Sequence, residues 1–174
     1  MEFLSPSFPL DLTAKLPSSA RLLIMNVTIQ KGTLGDLDSI VEFQLEMARE
    51  SEGTELDRNT VTEGVRNGLG DEARALYLVA HDEGGKAIGS LMLTKEWSDW
   101  NNSPYYWIQS VYVSPEYRRK GVFRALFEKA KEKAREEGAA AVRLYVDRHN
   151  EKAQAVYNSL GMHECHYLMY ELDS

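Results

Sequence analysis

Val27-Thr28-Ile29-Gln30 alternates apolar and polar residues, the period of a half-buried strand. Gly32 and Gly35 follow as turn residues. From Asp36 the period changes, and Leu37, Ile40, Val41, Leu45 and Ala48 fall on one face of a helix. Asp57 has the side chain of an N-cap, and Val61, Val65 and Leu69 make the apolar stripe of a second helix, ended by Gly68 and Gly70. Ala75 to His81 and Ala87 to Thr94 are β-prone runs separated by Asp82-Glu83-Gly84-Gly85-Lys86, which predicts a hairpin. Trp97 to Pro104 predicts a polar loop carrying two tryptophans, and Tyr105 to Val113 a further strand stopped by Ser114-Pro115.

The second half repeats the change of period. Gly121 opens a helix running to about Glu137, with Glu128, Lys131, Glu132 and Arg135 on a solvated face and Gly138 as its C-cap. Val142 to Val146 predicts a strand, Asn150 to Leu160 a short helix ended by Gly161, and His163 to Leu172 a closing strand. The order is β-α-α-β-β-β-α-β-α-β. It implies an α/β (mixed α+β) domain, a mixed sheet covered by helices.

Composition narrows the class. The chain has 174 residues, 43% hydrophobic and 27% charged, which suits one soluble globular domain. No apolar run approaches the roughly 20 residues of a membrane span, so no membrane partner is expected and the cytoplasm is the expected location. A net charge of −7 argues against nonspecific nucleic-acid binding and suits a cationic small substrate. Cys165 is the single cysteine, so no intrachain disulfide can form, and no Cys/His cluster has zinc spacing; no metal is expected. Residues 1–24 hold Pro6, Pro9 and Pro17 and lack a period. They read as an extension, disordered or artificially added, ahead of a domain over 25–174, with Met25 a candidate start.

Chemistry concentrates after the third β-prone run of the middle section. Ile108 to Val113 ends in the loop Ser114-Pro115-Glu116-Tyr117, then Arg118-Arg119-Lys120 precede Gly121 at a helix start. A helix N-terminus has unpaired N–H groups and the positive dipole end, and glycine lets a backbone approach an anion. The pattern predicts a phosphate or pyrophosphate cradle, with a solvated basic turn as the alternative.

Further on, Asp147-Arg148-His149-Asn150 leads through Tyr157 to Leu160-Gly161-Met162. With these residues the chain resembles the GCN5-related N-acetyltransferase superfamily from Asn26 to Leu172, most specifically from Gln109 to Met162. It is similar in feel to small-amine and polyamine-type members. The resemblance implies a mostly antiparallel sheet of six to seven strands flanked by about four helices. It implies acetyl-CoA as cosubstrate, direct transfer onto a primary amine, and often a homodimer. Arg118 and Gly121 match the acyl-CoA signature, while Phe123 takes its final, normally small, position. The implied cofactor-binding residues are Val111, Tyr112 and Val113 on the strand, then Arg118, Arg119, Lys120, Gly121, Val122, Phe123 and Arg124, and Asn150. Tyr157 matches the general acid that protonates the departing thiolate; a packed aromatic is its other reading. Gln109, where related enzymes carry glutamate, cannot serve as base. Glu46, Glu50, Glu52, Glu55 and Asp99, or a water chain, are the candidates. Trp97, Asp99 and Gln109 are candidate substrate contacts. A protein or peptide acceptor and a non-catalytic CoA-binding module are the alternative functions.

Overall fold

A computed structural model describes residues 26–172; the predicted extension over 1–24 lies outside the described residues. The elements are β1 (Thr28–Lys31), α1 (Leu37–Glu52), α2 (Arg58–Gly70), β2 (Leu76–His81), β3 (Ala87–Ser98), β4 (Ser103–Val113), α3 (Val122–Glu136), β5 (Ala141–Leu144) and α4 (Glu151–Ser159). They form one five-stranded sheet in the order β1-β2-β3-β4-β5, antiparallel except for the parallel β4–β5 pair.

Local chemistry accounts for most boundaries. The Asp57 carboxylate accepts from Thr60 N at 2.7 Å and starts α2, as its position predicts. Gly53 ends α1 in the left-handed region. β2 reads as an unbroken apolar run because both of its faces are buried. Leu76, Leu78 and Ala80 join Leu126, Phe127 and Ala130 in the core under α3, while Tyr77 and Val79 join Ile40, Val41 and Val65 under α1 and α2.

Two expectations are corrected. The tryptophan loop is shorter than predicted, because β3 continues to Ser98 and β4 begins at Ser103. Trp97 pairs with Pro104 and Ser98 with Ser103, leaving a four-residue turn in which Asn102 takes φ +48°. The predicted closing strand over His163 to Leu172 does not form, so among the described residues the sheet has five strands instead of six to seven. Tyr167-Leu168-Met169-Tyr170 is apolar without interruption and lacks the period-2 face of a half-buried strand; all four side chains are exposed.

Glu137 closes α3 in a charged knot. Its carboxylate takes Lys133 Nζ at 2.8 Å and also pairs with Lys95. Lys133 and then Lys95 pull its pKa down to about 2. A carboxyl depressed by folding adds stability above its unfolded pKa, about 4.3, which is lost as pH falls through the folded value. Glu137→Gln is therefore expected to cost about 1–3 kcal/mol at pH 7. The deficit should shrink between about pH 4 and pH 2. Urea unfolding at pH 7, 4 and 2 checks this; a deficit that does not change with pH would assign Glu137 to packing alone.

Candidate active site

The site grows from an irregularity in β4. Between Ser90 and Met92 of β3 the partner strand passes from Tyr112 to Gln109, so β4 carries an extra residue. Ser110 sits there with φ +52°, the mark of a bulge. Gly89 makes room for it: a Cβ at Gly89 would lie 2.7 Å from the Tyr112 carbonyl oxygen. On the opposite edge, pairing with β5 ends at Ile108–Leu144, while β4 runs on to Val113. Gln109 to Val113 thus borders a splay between two parallel strands. Ser114 N–H donates to Ile88 O at 3.0 Å, so strand alternation turns the Val113 amide toward the splay.

The chain then makes a short 3-10 turn, Pro115–Tyr117, and enters α3. The Tyr117 hydroxyl donates to Asp82 at 3.0 Å, fastening this turn to the β2–β3 hairpin. Arg119 and Gly121 have φ +63° and +87°, a curl that turns successive N–H groups into a concavity. Gly121 caps α3 with no side chain. By contrast, α2 is capped by Asp57 and α4 by Asn150, whose side chain accepts from Ala153 N at 3.0 Å. The first helical bond of α3 is Ala125 N–H to Gly121 O, so the N–H groups of Val122, Phe123 and Arg124 precede any intrahelical acceptor. A cleft of about 290 Å³ opens there, lined by Val113, Arg119, Gly121, Phe123, Arg124 and Leu160 among others. Uncapped N–H groups, basic side chains and an apolar wall fit a ligand with both a phosphate and an aliphatic arm.

Arg118 has a different task from its neighbours. Its Nε donates to Val113 O at 2.8 Å, its Nη2 pairs with Glu50 at 2.6 Å, and it lies over the Tyr112 ring. Tyr112 donates its hydroxyl to Glu50 at 3.1 Å and stacks on Phe43. Glu50 therefore ties the end of α1 to the loop. Glu46 and Glu55 both hold Arg49, and Asp99 Oδ1 accepts from Trp100 N. Of the carboxylates considered as base, only Glu52 has neither a hydrogen bond nor an ion pair at its carboxylate among the described residues, and it is exposed.

Val156, Ser159 and Leu160 carry α4 to the same cleft. Tyr157, half-buried, meets Phe123 edge-on with ring centroids 5.9 Å apart. Burial pushes its phenol above the usual tyrosine pKa. The structure thus brings together the end of β4 at Val113, the loop from Arg118 to Gly121, the start of α3, and α4, with Tyr157 in ring contact with Phe123. It does not bring Trp97 and Asp99 there. Trp97 pairs with Pro104 and Met92 with Gln109, a separation along β4 of about 17 Å at ~3.4 Å per residue.

The aromatic surface on the Gln109 face is another one. Tyr105, Trp107 and Gln109 share a strand face, opposite the buried Tyr106 and Ile108. Trp107 stacks on Tyr145 at 4.5 Å and donates its indole N–H to Glu96; Gln109 Nε2 donates to Thr94 at 2.7 Å. Tyr145 carried no sequence signal, since only the β4–β5 pairing sets it beside Trp107. Ser110 was silent too, because serine has no preference for a left-handed backbone.

A splayed parallel pair beside an uncapped helix N-terminus is the arrangement of a site for an anionic ligand in a mixed α/β domain, and the comparisons give the family. The model of the acetyltransferase (GNAT) family matches residues 37–162, and the chain belongs to that family. A possible acetyltransferase from Clostridium difficile 630 is 44% identical, with a TM-score of 0.80 covering 85% of this chain and 97% of that one. Thialysine N-epsilon-acetyltransferase of Sus scrofa is 28% identical over 144 residues, 78% of this chain and 84% of that protein. An uncharacterized N-acetyltransferase of Bacillus subtilis (strain 168), YhfO, is 31% identical over 90 residues, 52% of this chain and 60% of that protein. The chain thus spans about three fifths of the Bacillus relative's length.

Proposed function

We propose that this protein is an N-acetyltransferase that moves the acetyl group of acetyl-CoA onto a primary amine of a small molecule by direct attack. The observation that carries this reading is the uncapped start of α3 at Gly121, set against the splayed end of β4. Here the N–H groups of Val122, Phe123 and Arg124, with Arg119, Lys120 and Arg124 side chains, hold the pyrophosphate. Arg118 positions the loop, since its guanidinium is already bound to Val113 and Glu50. The Val111, Tyr112 and Val113 backbone pairs with the pantetheine arm as an added strand would. Asn150 keeps its Nδ2 for the same arm while its Oδ1 caps α4.

Tyr157 supplies the proton that the departing thiolate takes. Its raised pKa keeps the phenol protonated through neutral pH and beyond. Trp107 and Tyr145 wall the acceptor side next to Gln109, an apolar surface for the methylenes of an amine. Trp97 and Asp99 belong to this reading only for an acceptor long enough to reach the hairpin tip. A cytoplasmic homodimer is part of the reading through family likeness alone.

The test is a screen for CoA thiol released from acetyl-CoA over polyamines, thialysine, amino acids, aminoglycosides and peptides. Thialysine joins the panel because it is named for the mammalian relative. A small primary amine is expected to raise release well above hydrolysis. Turnover of peptides alone would overturn the acceptor class, and acetyl-CoA binding without turnover of any amine would make the protein a binding module.

A further inference from the structure

Phe123 occupies a position where the acyl-CoA signature has glycine or alanine, and its ring lies between two others. One neighbour is Phe127, one turn along α3, with centroids 6.1 Å apart and planes at 44°. The other is Tyr157 on α4, at 5.9 Å and 67°. Phe123 is packed on the core under α3 together with Val113, Leu160 and Met162, so its own ring has a fixed seat. Tyr157 has no comparable support from its own helix. α4 is nine residues long and none of them is fully buried. The Tyr157 hydroxyl has no hydrogen-bond partner among the described residues, so no polar contact there aims it. Its one aromatic contact among the described residues is Phe123. Edge-to-face packing has a preferred geometry, and a phenol with two side-chain torsions is directed by whatever fixes its ring.

We propose that Phe123 is a positioning residue for Tyr157: its ring, seated against Phe127 and the core, holds the tyrosine ring edge-on and sets the direction of the phenol. The proposal rests on the reading of Tyr157 as proton donor. It accounts for a bulky side chain at a position whose backbone N–H, and not its side chain, is the part offered to a phosphate. A proton donor released from such a seat loses alignment, and misplacement by about an ångström can cost on the order of a hundredfold in rate.

The test is a four-member cycle of parent, Phe123→Ala, Tyr157→Phe and the double variant. Acetyl-CoA is assayed with thialysine as acceptor and, in its absence, by hydrolysis. Phe123→Ala is expected to lower kcat roughly 10- to 100-fold. In the Tyr157→Phe background the same change should cost no more than about twofold, because the group it positions is gone. Phe123→Tyr, which keeps the ring, should recover most of the loss, and Phe123→Leu, which keeps apolar volume without the ring, should still lose several-fold and carries the cycle if the alanine variant does not fold. A second readout needs no turnover. The phenolate absorbance of Tyr157, taken as the difference between each protein and its Tyr157→Phe counterpart, should titrate at lower pH in Phe123→Ala. The gap left by the ring admits water to a phenol that burial alone holds above its ordinary value. Equal losses of kcat in both backgrounds, or an unmoved titration, would overturn the proposal and leave the acid role of Tyr157 standing. Full turnover in Tyr157→Phe alone would overturn both.

Discussion

Tyr157→Phe is expected to lower turnover by roughly 10²–10⁴-fold while affinity for acetyl-CoA changes little. The ring and its contact with Phe123 stay, and only the proton donor goes. Stability should hardly move, because the hydroxyl makes no protein hydrogen bond among the described residues. Loss of rate without loss of fold therefore separates an acid from a packed aromatic. The pH profile adds a sign. Burial raises the phenol's pKa, so the basic limb of kcat should lie above the ordinary tyrosine value near 10. Steady-state kinetics with a circular dichroism melt of the variant checks both. Turnover within about threefold of the parent would end the general-acid assignment.

Gly121→Val is expected to abolish acetyl-CoA binding. At a ligand concentration of about 100 Kd, binding to the native state alone adds about 2.7 kcal/mol, a rise in Tm of about 5–10 °C for a chain this size. The valine variant should show no such rise. Gly121 stands at φ +87°, where a β-branched residue is strained by about 1–3 kcal/mol, so the curl of the loop opens to relieve it. A Cβ there would meet no protein atom within 4 Å, so a clash inside the fold is not the cause. Differential scanning fluorimetry of the two proteins with and without acetyl-CoA decides. An equal shift in both would move the cradle elsewhere.

Tyr157 and Gly121 differ in how far the sequence alone could carry them. For Gly121, the three cations, the glycine and the apolar period after it predict a helix N-terminus that binds an anion, and the structure has that helix start at Val122. For Tyr157, the helix was legible from Asn150, Ala153 and Gly161. Its neighbour Phe123 was visible only as a departure from the small residue expected there. The contact between the two rings joins α3 to α4 across 34 positions, and no local pattern reports it.

The amino-acid sequence by itself determined the helices, the β2–β3 hairpin, the glycine at the start of α3 and the family likeness. The elements follow from interactions within a few residues, a cap, a turn or an apolar period, and the likeness rests on the motifs around Gly121 and Asn150. Only the tertiary structure decided the bulge at Ser110, the splay of β4 from β5, the Trp107–Tyr145 wall and the knot of Arg118 with Glu50, 68 residues apart. It also decided that the tail from His163 is not a strand and that Trp97 lies far from Gln109. The physical reason is common to all of them. Register, ladder partners and ring contacts are settled by which distant surfaces meet, and a ladder or a stacked pair has no energy until its partner is in place.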